Sequence, residues 1–235
     1  SVKDVEITEV DIDNFIRAKG AIFSAIRTML NSLDFDVSMI DDVYVAGGIG
    51  SGKSVVTQLL SLYGIPVYIA DDESKKLTRE SPVIREALIA LFGDSIYTDQ
   101  GLNKPMLASL IFKDDLLLKK VNSIIHPVVA DDFKQWCDSR QNNTFCAIES
   151  AILYESGFDK LTDVSLMMYA PLEIRIERVL SRDRASRDAV ENRIKSQMPD
   201  EEKSKLADFT IFNDGVQPLI PQVEKFLAQI AQNIG

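Results

Sequence analysis

Residues Gly47–Ser54 carry the combination of side chains and spacing that points most directly to chemistry. They read GGIGSGKS, which fits the phosphate-binding pattern G-x-x-x-x-G-K-S, between an apolar segment and a predicted helix. The glycines allow the backbone to curl so that its N–H groups point at phosphate oxygens, and the helix start adds a partial positive charge. The pattern predicts that Lys53 reaches the β- and γ-phosphates of ATP and that the Ser54 hydroxyl ligates Mg²⁺. We expect the nucleotide to contact Gly48, Gly50, Ser51, Gly52, Lys53, Ser54 and Val55.

Acidic residues follow two of the apolar segments that we predict to be strands. Asp71 and Asp72 come directly after IPVYIA, and Glu149 ends FCAIE. Because open α/β sheets bind ligands at the carboxyl ends of their strands, these carboxylates are expected to face the crevice beside the phosphate loop. Asp71 would accept a proton from an attacking hydroxyl, with helix capping as the alternative, whereas Asp72 is predicted to be the cap. Glu149 either orders Mg²⁺-bound water, holds the substrate, or is a loop or capping residue.

Six arginines lie between residues 175 and 193, with acidic residues among them. The set comprises Arg175, Arg178, Arg182, Arg184, Arg187 and Arg193. The first three have the spacing of one helical face. One interpretation is a solvent-exposed face with salt bridges, and the other is a mobile lid that delivers arginine to the transferring phosphoryl group. Guanidinium suits the second role because it spreads its charge and binds oxygens in pairs. We therefore predict that at least one of these arginines is catalytic.

Five short apolar segments predict the strands that must position these groups. They are DDVYVAGG, IPVYIA, FCAIES, VSLMMYA and DFTIFND. Helical patterns separate them, which is typical of a parallel sheet with helices on both faces. Residues 73–140 are mostly helical in pattern, with separate helices on either side of His126-Pro127. Residues 171–206 are charged and helical, and residues 11–33 have the spacing of one more helix.

The composition of the 235-residue chain excludes several classes of function. A net charge of −10 argues against a nucleic-acid partner, because neutralising a phosphate backbone needs a basic surface. The chain has no apolar run near the ~20 residues that span a bilayer and no signal-peptide pattern, so we predict a soluble, cytoplasmic protein without a membrane partner. Cys137 and Cys146 lack C-x-x-C spacing and are predicted to be reduced thiols. Since His126 is the single histidine, a multi-histidine metal site is excluded.

An ordered set of short patterns resembles the dephospho-coenzyme A kinase family over roughly residues 43–230. After the phosphate loop come Asp71, His126-Pro127, Glu149–Ser156, Arg182-Asp183, Arg193-Ile194 with Gln197, Ala207-Asp208 and Asn213-Asp214-Gly215. The phosphate loop alone is generic among nucleotide-binding proteins, whereas the order of the whole set is specific.

The resemblance implies transfer of the ATP γ-phosphate to the ribose 3′-hydroxyl of dephospho-CoA, the last step of coenzyme A synthesis. It implies an α/β, P-loop NTPase-like three-layer fold with a five-stranded parallel sheet, an inserted helical substrate domain and a helical lid. By position, we expect the core in residues 42–72 and 143–235, with a lid at about 178–205. The substrate domain would be residues 73–142, and residues 1–41 would be an extra segment. We expect a monomer or a weak homo-oligomer.

The resemblance also implies roles for individual side chains. Lys53, Asp71 and Arg182 are expected to be catalytic, with Asp71 in the position of the candidate base. The expected substrate contacts are Asp71, Lys75, His126, Glu149 and Arg193. Asn213 falls in a strand-end pattern beside the adenine of ATP. Taken alone, His126 reads instead as a core or capping residue beside an apolar run.

The chain departs from the family pattern at several positions. Ile69 stands where the family usually has the first carboxylate of Asp-Ala-Asp, so that carboxylate has no counterpart here. Lys75 replaces a substrate-binding arginine, which keeps the charge but loses the bidentate fork. Glu149 stands where the family has an aspartate at the strand end, and its longer side chain would reach the same place from a shifted backbone.

Residues 5–48 resemble a different group, the C-terminal ATPase-like part of corrinoid-protein reductive activators. A fragment of that length lacks the rest of the parent fold, so we do not expect that activity. The sequence motifs leave two alternatives to the leading function open. One is another P-loop kinase acting on a nucleoside monophosphate or a small alcohol. The other is a non-catalytic nucleotide-binding module, although a GTPase would show an Asn-Lys-x-Asp motif, which this sequence lacks.

Overall fold

The computed structural model describes residues 42–232 apart from residues 112–113, 141–144, 158–161 and 184. The strands are β1 Asp42–Ala46, β2 Val67–Ile69, β3 Tyr97–Thr98, β4 Gly101–Leu102, β5 Cys146–Glu149, β6 Val164–Tyr169 and β7 Phe209–Phe212. The helices are α1 Lys53–Leu62, α2 Ala70–Glu80, α3 Pro82–Phe92, α4 Lys104–Ile111, α5 Asp115–Asp138, α6 Leu153–Ser156, α7 Leu172–Asp183, α8 Arg187–Lys195, α9 Asp200–Leu206 and α10 Leu219–Gln232. The helix predicted at residues 11–33 lies outside the described residues.

Five of the strands form one parallel sheet in the order β2-β5-β1-β6-β7. The central strand β1 has residues 43–46 completely buried. Such near-continuous apolar runs are expected where helices cover both faces of a parallel sheet. All five strands predicted from the sequence are confirmed. The phosphate loop therefore starts at the middle of the sheet.

Helices cover the sheet on both faces and form two hydrophobic layers. On one face, Leu60 of α1 and Phe226 of α10 belong to a core built around β1 and β6. On the other face, Phe133 of α5 packs against Tyr68 of β2, with ring centroids 5.3 Å apart. The three-layer α/β architecture expected from the sequence is thus confirmed. None of the described helices is long and apolar enough to cross a membrane.

The chain between β2 and β5 forms helices α2 to α5 with their own apolar cluster, which includes Ile84, Leu88 and Val121. It differs from the prediction in containing the antiparallel hairpin β3–β4. Two-residue strands are too short to show an alternating pattern. The hairpin is anchored where the Tyr97 hydroxyl donates to the Thr78 carbonyl over 2.9 Å.

Helix α5 runs without interruption for 24 residues and contains Pro127. The prediction of separate helices on either side of His126-Pro127 is therefore wrong. A proline inside a helix removes one backbone hydrogen bond. Val121 and Val129 are buried on the two sides of Pro127, and this packing holds the helix together across the proline. Near the end of α5, the thiol of Cys137 donates to Asp42 over 3.2 Å, and both cysteines are free, as predicted.

Candidate active site

The phosphate loop leaves the carboxyl end of β1 and leads into α1. Gly52 has a φ of 96°, in the left-handed region, and the Asn213 amide fills the space where a side chain would begin. At Gly48, a Cβ atom would overlap the Arg175 guanidinium and come within 2.6 Å of Asp200 Oδ1. Gly52 is favoured by its positive φ, and a side chain at Gly48 would have to displace Arg175 and Asp200. Side chains from distant parts of the chain pack tightly against the outside of the loop.

Lys53 begins α1, and its ammonium group lies across the phosphate loop. Its Nζ atom donates to the carbonyls of Gly47 and Gly48, over 2.9 and 3.4 Å. Only 8% of the residue is exposed, and burial lowers its pKa, against the opposing effects of Glu149 and Asp71. Lys53 is thus a buried cation beside two carboxylates, in the position predicted for contact with the β- and γ-phosphates.

Glu149 ends β5 and lies between the ends of two neighbouring strands. The parallel register sets it opposite Val45 of β1 and Ile69 of β2. Its Oε2 atom accepts a hydrogen bond from the Thr57 hydroxyl over 3.0 Å. Burial raises the pKa of Glu149, and Lys53 lowers it in opposition. The carboxylate therefore faces the phosphate loop, and the interpretation as a loop or helix-capping residue is wrong.

Ser54 and Val55 follow Lys53 in the first turn of α1, and both are exposed. The Thr57 hydroxyl contacts the Ser54 carbonyl at 3.1 Å as well as Glu149. Thr57 thus links Glu149 to the first turn of α1, where Ser54 lies. Hydroxyl and carboxylate oxygens are the ligands that suit Mg²⁺, so the residues present fit the metal that the phosphate-loop pattern implies.

A cleft of about 240 Å³ lies at the carboxyl edge of the sheet, where β2 and β5 end. Three of the predicted substrate-binding residues line it, namely Asp71, Lys75 and His126. Ser150 and Ile152, one and three residues after Glu149, also line it. Burial lowers the pKa of His126 and favours its neutral imidazole. Residues separated by more than fifty positions are therefore brought together at one edge of the sheet.

The start of α2 differs from the prediction at Asp72. The residue before the helix is Ile69, which makes no side-chain cap, and Asp72 lies within the first turn. Its carboxylate instead pairs with Lys75 over 2.7 Å, three residues along the exposed helix surface. The predicted cap is wrong because β2 ends earlier than its apolar pattern suggests. Asp72 still benefits from the helix start, where negative charge is favoured.

Arg182 and Arg193, the two arginines expected to bind phosphate or substrate, meet at Asp183. Arg182 pairs with this carboxylate through two bonds of 2.6 and 3.0 Å, and Arg193 approaches it to 3.5 Å. More than half of each arginine side chain is exposed. Their assignment to the reaction stays a prediction, because these contacts lie on the surface of α7 and α8.

Arg175 contacts the phosphate loop directly, although the pattern of six arginines did not single it out. Its Nε atom donates to the Ile49 carbonyl over 2.9 Å, and its Nη1 atom pairs with Asp200 at 2.6 Å. The residue is 4% exposed. Its spacing matches that of the exposed Arg182, so no local pattern separates them. The deciding contact joins residues 126 positions apart.

Asn213 follows β7 and ties that strand to the phosphate loop. Its side-chain amide donates to the Ser51 carbonyl over 2.8 Å, and its backbone N–H donates to the Tyr169 carbonyl over 2.8 Å. Arg178 donates to both the backbone and the side-chain oxygen of Asn213, each over 3.1 Å. The asparagine is thus held in one orientation beside the loop, at the position expected to lie near adenine.

Comparison with known proteins adds two family matches. The model of the dephospho-CoA kinase family matches residues 42–218, and that of the C-terminal domain of RACo, the ASKHA domain, matches residues 1–59. The dephospho-CoA kinase of Bacteroides fragilis strain YCH46 is 48% identical over 190 residues, covering 81% of this chain and 93% of that protein. That of Porphyromonas gingivalis is 43% identical, covering 79% of this chain and 92% of its own length.

A solved structure agrees with these sequence matches. The crystal structure of TT1252 from Thermus thermophilus is 31% identical, covers 83% of this chain and 98% of its own, and superposes with a TM-score of 0.70. Both resemblances seen in the sequence are therefore confirmed. The family match extends over the sheet, the phosphate loop, the cleft and the arginine-bearing helices. From the central strand onwards, the chain belongs to the dephospho-CoA kinase family.

Proposed function

We propose that this chain transfers the γ-phosphate of ATP to the ribose 3′-hydroxyl of dephospho-CoA, which yields ADP and coenzyme A. The observation that carries the proposal is the convergence of Asp71, Lys75 and His126 on one cleft at the edge of the sheet from which the phosphate loop also leaves. A phosphate loop alone would serve many nucleotide-binding proteins. The adjoining cleft supplies what a kinase also needs, which is a place for the acceptor next to a carboxylate.

On the donor side, the phosphate loop and Lys53 would bind the triphosphate. The ammonium group now donates to two loop carbonyls, and phosphate oxygens would replace those acceptors. A buried cation there stabilises negative charge more strongly than an exposed one. Ser54, with Glu149 acting through bound water, would hold Mg²⁺. Bound there, Mg²⁺ would neutralise part of the negative charge of the triphosphate.

On the acceptor side, Asp71 would act as the general base. The hydroxyl oxygen of the acceptor attacks the γ-phosphorus and its proton passes to the Asp71 carboxylate. As the new oxygen–phosphorus bond forms, the bond from the γ-phosphorus to the bridging oxygen breaks, and that oxygen leaves with ADP. Lys75 and His126 would hold the rest of the acceptor within the cleft.

We further propose which parts of the chain bind each substrate. Residues 42–72 and 143–235 would form the nucleotide-binding core, and residues 73–142 would bind the acceptor. The segment at about residues 178–205 would act as a lid. Closure would move the exposed part of this segment, so that Arg182 and Arg193 pass from Asp183 to the transferring phosphoryl group and water is excluded, while the buried Asp200 and Lys203 stay in place.

The proposal is tested by measuring ADP release from Mg-ATP with dephospho-CoA, AMP or adenosine as the acceptor. We expect release that depends on dephospho-CoA, and a product whose added phosphate maps to the 3′ position by NMR. The Lys53→Met variant should lose roughly a thousandfold in kcat, in line with the charge-stabilising role of such groups. Equal release with every acceptor, or with none, would overturn the assignment of the acceptor.

A further inference from the structure

The segment from Gln197 to Lys203, which we call the clasp, links α8 to the first turn of α9. On one side it contacts Ile49, in the middle of the phosphate loop. The Ile49 N–H donates to the Gln197 side chain over 3.1 Å, and the Ile49 carbonyl accepts from Arg175 over 2.9 Å. Arg175 in turn pairs with Asp200 of the clasp at 2.6 Å. Both backbone polar groups of Ile49 are therefore bound by this network.

On its other side, the clasp contacts the loop that lines the acceptor cleft. The Nζ atom of Lys203 donates to the Ala151 carbonyl over 2.9 Å and pairs with Glu155 at 3.0 Å. The same Glu155 oxygen accepts from the backbone N–H of Met198 over 2.7 Å. Ala151 lies between Ser150 and Ile152, both of which line the cleft. Lys203 thus contacts the backbone of this wall of the cleft directly.

The two charged residues of the clasp are buried. Asp200 is 4% exposed and Lys203 is completely inaccessible, although charged residues are almost never fully buried without a partner. Burying charges costs solvation free energy, so such pairs are weak contributors to stability. Asp200 Oδ1 has no hydrogen-bond partner among the described residues. It lies 2.6 Å from the position that a Cβ atom at Gly48 would occupy. The arrangement is poorly suited to stabilising the fold, but it defines the positions of two loops.

We propose that the clasp is a positioning device that joins the donor and acceptor sites, with Asp200 holding the phosphate loop through Arg175 and Lys203 holding the Ser150–Ile152 wall of the cleft. This inference rests on the proposed function. Neither residue touches substrate; each acts through a neighbour. Because the two charges reach different loops, substituting each one should affect a different substrate.

The experiment compares Asp200→Asn with Lys203→Met, using steady-state kinetics for both substrates and the Kd of a fluorescent ATP analogue. We expect Asp200→Asn to raise the KM for ATP and the Kd of the analogue about tenfold, while the KM for dephospho-CoA stays within about twofold. We expect Lys203→Met to raise the KM for dephospho-CoA about tenfold, while the KM for ATP and the Kd of the analogue stay within about twofold. Glu177→Gln and Lys205→Met are the matched controls, because both residues are exposed on neighbouring helices outside the clasp, and they should leave every constant unchanged.

Two further variants keep the proposal testable if a buried substitution lowers the yield of folded protein. Glu155→Gln weakens the ion pair between Lys203 and Glu155 by changing the more exposed of the two residues. This variant should also raise the KM for dephospho-CoA and leave the KM for ATP unchanged. Combining Arg175→Gln with Asp200→Asn should raise the KM for ATP no further than Arg175→Gln does, because both act on Ile49 through one chain of contacts.

The outcomes separate this inference from the proposed function. Wild-type protein that binds the analogue but does not phosphorylate dephospho-CoA would overturn the function. In that case, comparing the Kd of the ATP analogue for Asp200→Asn and Lys203→Met would still test whether Asp200 positions the phosphate loop. Equal changes in both substrates for both variants, or a lowered Tm with unchanged constants, would overturn the clasp as a positioning device.

Discussion

The side-chain amide of Asn213 donates to the backbone carbonyl of Ser51 over 2.8 Å and fills the space that a Cβ atom at Gly52 would occupy. The amide stays in this orientation because Arg178 donates to the Asn213 side-chain oxygen over 3.1 Å. Strand β7, at one edge of the sheet, thereby supports the loop that leaves the central strand. This contact spans 162 positions of the chain.

Replacing Asn213 with aspartate should weaken nucleotide binding. The aspartate keeps the acceptor for Arg178 but sets a carboxylate against the Ser51 carbonyl, so the loop loses a donor and gains repulsion. Losing a buried hydrogen bond costs about 1–3 kcal/mol, which corresponds to roughly 5- to 150-fold in affinity. We expect a rise of that size in the Kd of an ATP analogue, measured by titration. An unchanged Kd would contradict the supporting role.

Replacing Asp71 with asparagine should lower kcat with little change in the KM for ATP. The amide occupies the same space in the cleft but cannot accept the proton of the attacking hydroxyl. General-base groups typically contribute about 10²- to 10⁴-fold, so a loss within that range is expected. Glu73→Gln is the matched control, because this carboxylate lies two residues along α2 and pairs with exposed Lys76. A kcat near the wild-type value would remove Asp71 from the mechanism.

Glu149 should give activity and stability opposite responses to pH. Burial raises its pKa above the ordinary value, so the folded protein favours the protonated form. The contribution of Glu149 to the free energy of unfolding is therefore complete below the ordinary glutamate pKa, and it is lost as the pH rises through the raised pKa. Catalysis requires the ionised form beside Lys53, so kcat should fall as the pH is lowered through the same window.

The measurement is a comparison of wild type with Glu149→Gln across that window. The Tm of the variant relative to wild type should increase as the pH rises, because glutamine does not ionise. The acid limb of the kcat profile that belongs to Glu149 should be missing from the variant. A Tm difference that stays constant with pH would show that the carboxylate does not titrate as we infer.

Arg182→Ala should reduce kcat, whereas Arg187→Ala should not. Arginines that stabilise the transferring phosphoryl group contribute about 10³- to 10⁵-fold in related chemistry, and we expect a loss of at least about a hundredfold. Arg187 is the matched control, since it lies on the same surface and pairs with Glu173 and Glu191. Exposed pairs of this kind contribute little to stability, so both variants should keep the wild-type Tm. Similar kcat values for the two would argue against a lid role for Arg182.

The features predicted well from the sequence are those encoded by neighbouring residues. The strands were identifiable because a buried strand in a parallel sheet requires a short, nearly continuous apolar run. The phosphate loop was identifiable because its glycines, Lys53 and Ser54 lie in one segment. Asp71 was identifiable because it directly follows an apolar strand, whereas the role of His126 depended on the resemblance to a family, since no local pattern joins positions so far apart.

The features that were missed depend on contacts between distant segments. Arg175 and Arg182 have equivalent positions in the helical pattern, yet one is buried against Ile49 and the other is exposed. Only the folded chain shows that the Asp200 carboxylate packs next to Gly48. The break predicted at Pro127 failed for a similar reason, because packing on both sides of the proline outweighs the lost hydrogen bond.

The strand order also has a consequence for how acceptor preference can change. The helical segment leaves the sheet after β2 and returns to it at β5, and these two strands are direct neighbours. Because β2 and β5 are parallel, the segment leaves at the carboxyl edge of the sheet after Ile69 and returns at the opposite, amino edge before Cys146. A segment that crosses between two adjacent strands in this way can be exchanged while the five strands and the phosphate loop keep their register. Replacing the acceptor-binding part of residues 73–142, with Asp71 and the sheet-facing residues of α5 retained, is therefore a direct route to a kinase with the same donor and a new acceptor.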